Sequence, residues 1–115
     1  MKKDTLFLLP PGFKDNGRRE FCPECAEMWG VLNYYPAIKE ALEIHYVGIH
    51  HPRDPIVEVL GEGLWNAPTL ILAKPDSVAG DLRTETSNGV AYLGSARHIA
   101  KYFAAKFGIA MPRGS

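Results

Sequence analysis

Short apolar runs alternate along this chain with segments of helical periodicity, and this alternation limits the possible folds more than any other feature. The run at 5–9 is stopped by Pro10-Pro11, which is typical of a strand buried on both faces of a sheet. A hairpin turn signal, Ser87-Asn88-Gly89, precedes the last apolar run. The remaining strands are predicted at 44–49, 69–73 and 90–93. Helical segments between such strands are typical of an α/β protein.

The first helix has a well-marked start. Pro23 fits its first position, where a missing N–H costs nothing, so the helix begins at Cys22. Apolar side chains then recur at three- and four-residue spacing. Pro36 must kink or interrupt the helix, with a further turn or two at 37–42.

Two later helices are predicted from their caps. Asp54-Pro55 predicts an N-cap followed by a first-turn proline. The short helix that begins there is expected to end at Leu60, before Gly61. Ser95 is expected to cap the last helix, which bears an apolar stripe and is closed by Gly108.

The predicted order of elements, β-α-β-α-β-β-α, implies an α/β sandwich with a mixed central sheet flanked by helices. The 115 residues fit one domain, 1–115. We expect its core to span about residues 5–108 and a polar, mobile tail at 111–115. The polar segments at 10–21, with its turn signal Asp15-Asn16-Gly17, and at 74–89 are expected to be loops.

Charge and hydropathy argue against several functions. The 13 basic and 13 acidic side chains cancel, so the chain lacks the basic surface that binds nucleic acid. No stretch approaches the roughly 20 apolar residues that span a bilayer, and the first apolar run is too short for a signal peptide. We therefore expect a cytoplasmic protein with neither nucleic acid nor membrane as a partner, and with reduced thiols.

The motif with distinctive chemistry is Cys22-Pro23-Glu24-Cys25, at the start of the first predicted helix. At a helix N-terminus, the Cys22 sulfur would lie near unpaired N–H groups and the positive end of the helix dipole, which favour a thiolate. Cys25 would lie one turn further on, more buried but within reach. This arrangement predicts an attacking and a resolving thiol.

Charged neighbours are expected to modulate this pair in opposite directions. Arg18 and Arg19, in the preceding loop, would favour the Cys22 thiolate if they fold over it. Glu24, inside the motif, would favour the protonated form. The alternative to redox chemistry is a pair of thiols at a helix start without turnover.

A metal site is the weaker interpretation of the cysteines. The other soft ligands are the histidines at 45, 50, 51 and 98, and none has the spacing of a second ligand pair. We expect no bound metal or cofactor.

Three segments, at 21–25, 66–70 and 93–103, resemble the thioredoxin superfamily, in its glutaredoxin and glutathione S-transferase N-terminal-domain branch. The resemblance spans residues 5–108 and is closest to a bacterial thioredoxin-like family of unknown function. It implies a thioredoxin-like three-layer sandwich.

The resemblance also implies further site residues. Pro68 would be cis and face the cysteines, and the Ala67 backbone would pair with the cysteinyl part of a thiol peptide. Ser95 would bind the γ-glutamyl carboxylate of glutathione, although a serine N-cap needs no ligand to explain it. Trp65, near Pro68, is a candidate for an aromatic contact with substrate.

Together these features predict a thiol–disulfide oxidoreductase acting on a disulfide-containing protein or on glutathione, with glutathione as the possible co-substrate. The alternatives are a non-catalytic binding module, which holds glutathione or a peptide, and a redox sensor. A glutathione transferase is disfavoured because 115 residues leave no room for a second, helical domain.

Overall fold

The apolar runs assemble into one mixed sheet in the computed structural model, which describes residues 3–50, 53–61, 63, 66–74 and 84–114. The strands are β1 (Asp4–Leu8), β2 (Phe13–Asp15), β3 (Arg18–Glu20), β4 (Leu42–Tyr46), β5 (Thr69–Ile71), β6 (Glu85–Ser87) and β7 (Val90–Leu93). The helices are α1 (Pro23–Tyr34), α2 (Pro36–Glu40), α3 (Asp54–Leu60) and α4 (Ala96–Phe107).

The main sheet has five strands in the order β4-β1-β5-β7-β6. β1 pairs in parallel with β4 and antiparallel with β5, and antiparallel pairs join β5 to β7 and β7 to β6. The predicted fold class is confirmed: this is an α/β protein with a mixed sheet and helices, compatible with a thioredoxin-like sandwich.

Strand β1 lies inside the sheet, and all five of its residues are buried. Because alternate side chains of a strand point to opposite faces, this burial requires cover on both faces. Helix α1 packs against α4 and α2, while α4 also contacts β5. The fully buried core includes Leu6, Leu8, Met28, Leu32, Ile56, Leu70, Leu93, Ile99 and Phe103.

The side chain of Asp4, the first residue of β1, is buried and joins three elements of the fold. Asp4 accepts hydrogen bonds from the Ala73 N–H at 2.8 Å and from the Tyr102 hydroxyl at 2.6 Å. The Lys106 Nζ atom lies 3.2 Å from the same carboxylate. Burial opposes the charge of Lys106, but its bonds to Tyr102 and Asp4 outweigh that effect and raise the pKa of Lys106.

The segment 10–21 is not the loop that the sequence predicts, because β2 and β3 form a separate antiparallel hairpin there. Its turn contains Asn16 and Gly17, both with positive φ, so the turn signal was informative. The strands are exposed and lack the apolar alternation that marks a half-buried strand.

Other boundaries also differ from the predictions. Leu42, predicted to be helical, begins β4 because it pairs with Asp4 of β1. The N-cap of α3 is Arg53, and Asp54 is the first helical residue. Within the predicted loop 74–89, β6 forms a fifth strand beside β7, and the turn between them is the predicted hairpin turn.

The C-terminal tail contacts the helices. The Arg97 guanidinium donates to the Arg113 carbonyl at 3.4 Å, and residues 109–113 line a groove together with α1 and α4. Among the described residues, no helix has the length and apolar character needed to cross a membrane.

Candidate active site

The first thiol caps helix α1. Cys22 has extended backbone, and its Sγ accepts a hydrogen bond from the Cys25 N–H at 3.2 Å. Pro23 occupies the start of the helix, as predicted. Cys22 is partly exposed, whereas Cys25 is buried. The N–H donor and the helix N-terminus both stabilise negative charge on this sulfur.

The second thiol is buried beneath the surface. Cys25 is 3% exposed, and its Sγ accepts a hydrogen bond from the Leu9 N–H at 3.4 Å. Burial is the main effect that raises the pKa of the Cys25 thiol to about 12, and contact with Cys22 and the charge of Glu24 act in the same direction. The Leu9 N–H opposes them. Cys25 therefore keeps its proton at neutral pH.

The segment before β5 lies against Cys22. Its Ala67–Pro68 peptide bond is cis, as the resemblance implies. The Cys22 Sγ lies 4.0 Å from the Ala67 carbonyl oxygen, which is within reach of a thiol hydrogen bond. Asn66 Nδ2 donates to the Gly94 carbonyl at 2.7 Å and to the Pro68 carbonyl at 3.4 Å. The Asn66 side chain thereby joins the segment before β5 to Gly94, the residue that precedes Ser95.

Ser95 caps α4, as predicted, and its Oγ accepts a hydrogen bond from the His98 N–H at 3.3 Å. The first N–H of the helix, from Ala96, donates to Glu24 Oε1 at 2.9 Å. Glu24 thus contacts the start of α4 and also helps to raise the pKa of Cys25. One turn further along α1, Glu27 Oε2 lies 2.9 Å from Arg97 Nε. These contacts connect the starts of the two helices.

The predicted cationic modulators lie in the exposed hairpin. Arg18 Nε is 2.7 Å from Glu20 Oε2 and thereby lowers the pKa of that carboxyl. The Arg19 guanidinium lies over Gly12. Within the described residues, no hydrogen bond or ion pair connects either arginine to Cys22 or Cys25, and their role stays a prediction.

Arg53 is a site residue that the sequence did not reveal. Burial lowers the pKa of Arg53, whereas charge on Cys22 and on Cys25 raises it, so the guanidinium lies within electrostatic range of both sulfurs. Its Nε donates to the Gly48 carbonyl at 2.8 Å. Asn66 is another residue at the site that the sequence analysis did not name as a site residue. Neither has a local sequence signal, because each acts through contacts that only the fold creates.

Two grooves border the site. One, of about 320 Å³, is almost entirely apolar and is lined by Leu9, Pro11, Phe21, Cys22, Cys25, Ala26 and Trp29. The other, of about 510 Å³, is more polar, and its lining includes Arg53, Asn66, Thr69, Ser95 and His98. The cysteine pair therefore has an apolar surface beside it, and Asn66 and Ser95 have one of mixed polarity.

The part of the chain that the structure describes contains no group of three or more His, Cys, Asp or Glu placed to hold a metal ion. His45 is exposed, with its Nε2 3.7 Å from Glu43 Oε2. His98 is exposed on α4. His51 and Trp65, and with Trp65 the predicted aromatic contact, lie outside the described residues.

Fold and site together define the class of protein: a small α/β domain with two free thiols at a helix N-terminus, one partly exposed and the other buried. The chain belongs to the family described as protein of unknown function (DUF3088), whose model matches residues 3–111. That match includes both cysteines, Pro68 and Ser95. Comparison with curated proteins and with solved structures found no match.

Proposed function

We propose that the protein is a thiol–disulfide oxidoreductase of the thioredoxin-like, glutaredoxin-related type. One observation carries the proposal: the two thiols differ in their exposure and in their surroundings. Cys22 is partly exposed and accepts an N–H at a helix N-terminus, whereas Cys25 is buried with its pKa raised to about 12. This difference supports the proposal that Cys22 attacks the substrate and that Cys25 resolves the mixed disulfide.

The reaction consists of two exchanges. The Cys22 thiolate attacks one sulfur of a substrate disulfide RS–SR′, so that R′S⁻ leaves and a Cys22–S–SR bond forms. Cys25 then loses its proton and attacks the Cys22 sulfur, RS⁻ leaves, and that thiolate takes up the proton. The protein ends as the Cys22–Cys25 disulfide, with two electrons transferred to the substrate. A thiol reductant, proposed to be glutathione, restores the dithiol.

Neighbouring groups support these steps. The Ala67 carbonyl lies 4.0 Å from the Cys22 Sγ, so the proposal gives the Ala67 backbone the role of pairing with the cysteinyl part of a bound substrate. An almost entirely apolar groove lies beside the cysteines. The proposed location is the cytoplasm, where thiol reductants keep such a pair reduced.

A non-catalytic binding module is the second candidate, and the groove of mixed polarity beside Asn66 and Ser95 favours it. Its occupant would be glutathione or a peptide. A module of this kind would bind its partner equally well after both cysteines are replaced. A redox sensor would instead oxidise reversibly without turning over a substrate.

The first test is the reduction potential of the pair, measured by equilibration in glutathione buffers and trapping of free thiols. A two-electron transition between about −180 and −270 mV is expected, the span from protein disulfide isomerase to thioredoxin. The absence of a reversible disulfide would contradict the proposal.

The assignment of roles is tested by alkylation of the reduced protein with iodoacetamide at pH 7. Cys22 should react at least about tenfold faster than Cys25, because the reactive species is an accessible thiolate. Cys25→Ser should keep the fast reaction and form a stable mixed disulfide. Cys22→Ser should lose both the fast reaction and disulfide reduction, and retained reduction in that variant would overturn the assignment.

A further inference from the structure

The groove that contains both cysteines is almost entirely apolar, and it includes an exposed aromatic side chain. Phe21, the residue before Cys22, is 62% exposed and lines this groove together with Pro11 and Trp29. An apolar groove that is open to solvent is typical of a site where apolar groups of a partner bind. The groove therefore has the character of an interaction surface, and the sulfur that is proposed to attack lies within it.

The β2–β3 hairpin positions two residues of this groove. The hairpin is separate from the main sheet. At its base the Gly12 N–H donates to the Glu20 carbonyl at 2.9 Å. Pro11 and Phe21 are the chain neighbours of this bonded pair, and both line the groove. The hairpin is thus connected directly to the surface beside the cysteines.

One face of the hairpin carries two positive charges. Lys14 is the cross-strand partner of Arg19, so their side chains project from the same face. Like charges directly opposite each other destabilise a strand pair. Both residues are exposed, and neither forms an ion pair with any residue that the structure describes. The acids Asp15 and Glu20 lie on the opposite face, where Glu20 is bonded to Arg18. A negatively charged partner would relieve the repulsion between Lys14 and Arg19.

Two cations lie next to residues that line the groove. The Arg19 guanidinium lies against Gly12, where a Cβ atom would meet its Nη2 atom at 2.9 Å, and Gly12 adjoins Pro11. The Lys39 Nζ atom is 5.6 Å from the centre of the Trp29 ring. Lys39 is exposed and, like Arg19, has no ion pair within the described part of the chain. Positive charge therefore borders the apolar surface at two places.

We propose that the groove and its three cations, Lys14, Arg19 and Lys39, form a docking surface for an acidic polypeptide whose disulfide cysteine is flanked by apolar side chains. The inference rests on the proposed function and names its substrate class. The apolar side chains cover the groove, and carboxylates further along the substrate chain pair with the cations. This groove shares no lining residue with the groove beside Asn66 and Ser95, so the proposal leaves that second groove to glutathione, the proposed reductant.

The test compares synthetic peptides in single turnovers with pre-reduced protein. Each peptide has one cysteine between leucines, with glutamates at both ends in one peptide and glutamines in the other. The cysteine is supplied as its mixed disulfide with thionitrobenzoate. Cys22 attacks the peptide sulfur, thionitrobenzoate leaves, and its absorbance gives the rate constant. The quantity measured is the ratio of rate constants, glutamate peptide over glutamine peptide, because changes in thiol reactivity affect both and cancel.

The wild-type ratio is expected to be about five to ten at low salt, since each exposed ion pair contributes about twofold. Replacing Lys14, Arg19 or Lys39 with Gln should lower it about twofold, and replacing all three should bring it close to one. Lys3→Gln is the matched control, because it removes one exposed positive charge at the opposite end of β1. A wild-type ratio near one, or a fall in Lys3→Gln as large as that in Arg19→Gln, would overturn the proposal.

The apolar half of the surface has its own comparison. A third peptide keeps the glutamates but has serines in place of the leucines. Phe21→Ala should lower the ratio of rate constants, leucine peptide over serine peptide, by about threefold, because less apolar surface is covered on binding. The control is Tyr34→Ala, which removes an exposed aromatic side chain from a different groove. Equal falls in the two variants would contradict the assigned role of Phe21.

A binding measurement does not depend on redox activity. The glutamate peptide with serine in place of its cysteine is titrated into the reduced protein while the Trp29 indole N–H resonance is followed by NMR. A saturable shift is expected in wild type and a weaker one in Arg19→Gln, and its absence from wild type would overturn the docking surface even if the protein reduces disulfides. If the peptide binds in this way but no thionitrobenzoate peptide reacts, the proposed function fails and the docking surface holds.

Discussion

At the scale of single residues, Arg53 connects the thiols to a part of the chain that is distant in sequence. It is the N-cap residue of α3, and the Gly48 carbonyl orients its guanidinium. Burial lowers the pKa of Arg53, but the charges of Cys22 and Cys25 raise it. Arg53 is thus a cation that the fold brings within electrostatic range of both sulfurs.

We therefore predict that Arg53→Gln slows alkylation of Cys22 at pH 7 by about twofold to fivefold, as expected for loss of one partly solvated charge interaction. Arg53→Lys should retain most of the wild-type rate. The measurement is the rate of iodoacetamide modification, followed by mass spectrometry. Arg18→Gln is the control, since Arg18 is paired with Glu20. A loss in Arg18→Gln as large as that in Arg53→Gln would instead support Arg18 as the modulating cation.

At the scale of elements, local signals predicted the two helices that build the site. Helix α1 begins after Cys22 with Pro23 in its first turn, and α4 lies between Ser95 and Gly108. Gly108 has φ +70°, the left-handed conformation that glycine adopts at low cost. Each of these signals depends on residues within one helical turn of the boundary, so the sequence contains them.

Features that depend on long-range pairing were not predictable in the same way. The start of β4 is fixed by its register against β1, and the β2–β3 hairpin has no apolar pattern to mark it. At the site, Cys22 contacts both the Cys25 N–H and the Ala67 carbonyl. The bond from Ala96 to Glu24 joins residues 72 positions apart, and nothing local indicates it.

The Asp4 network gives a prediction at the same scale, because it joins β1, the end of β5 and α4. Asp4→Ala should lower the free energy of unfolding by about 3 kcal/mol, since it leaves buried donors without their acceptor. Tyr102→Phe should cost about 1–2 kcal/mol. Urea unfolding measures both, and Glu58→Ala, on the exposed side of α3, is the neutral control. Equal midpoints for Asp4→Ala and Glu58→Ala would contradict the assigned role.

At the scale of the whole molecule, the proton on Cys25 links the cysteine pair to the stability of the fold. Burial of this thiol raises its pKa from 9.0 to about 12, so the folded protein keeps a proton that the unfolded chain releases at lower pH. The stabilising contribution is thus fully present below about pH 9 and is lost as the pH rises towards about 12. Alkaline conditions should therefore weaken the reduced fold.

We predict that the unfolding free energy of the reduced protein, relative to Cys25→Ala, falls by up to about 1.4 kcal/mol per pH unit above pH 9, the slope for one proton. The measurement is urea unfolding in excess reductant at several pH values between 8 and 10.5, and the difference between the two proteins cancels the titration of lysines and tyrosines. The oxidised wild-type protein, in which neither thiol exists, provides a control of identical sequence and should not show the fall that the Cys25 proton causes in the reduced protein. If the reduced wild-type and Cys25→Ala curves run parallel throughout, the Cys25 proton does not contribute to stability, and the asymmetry that assigns Cys25 as the resolving thiol would lose its energetic basis.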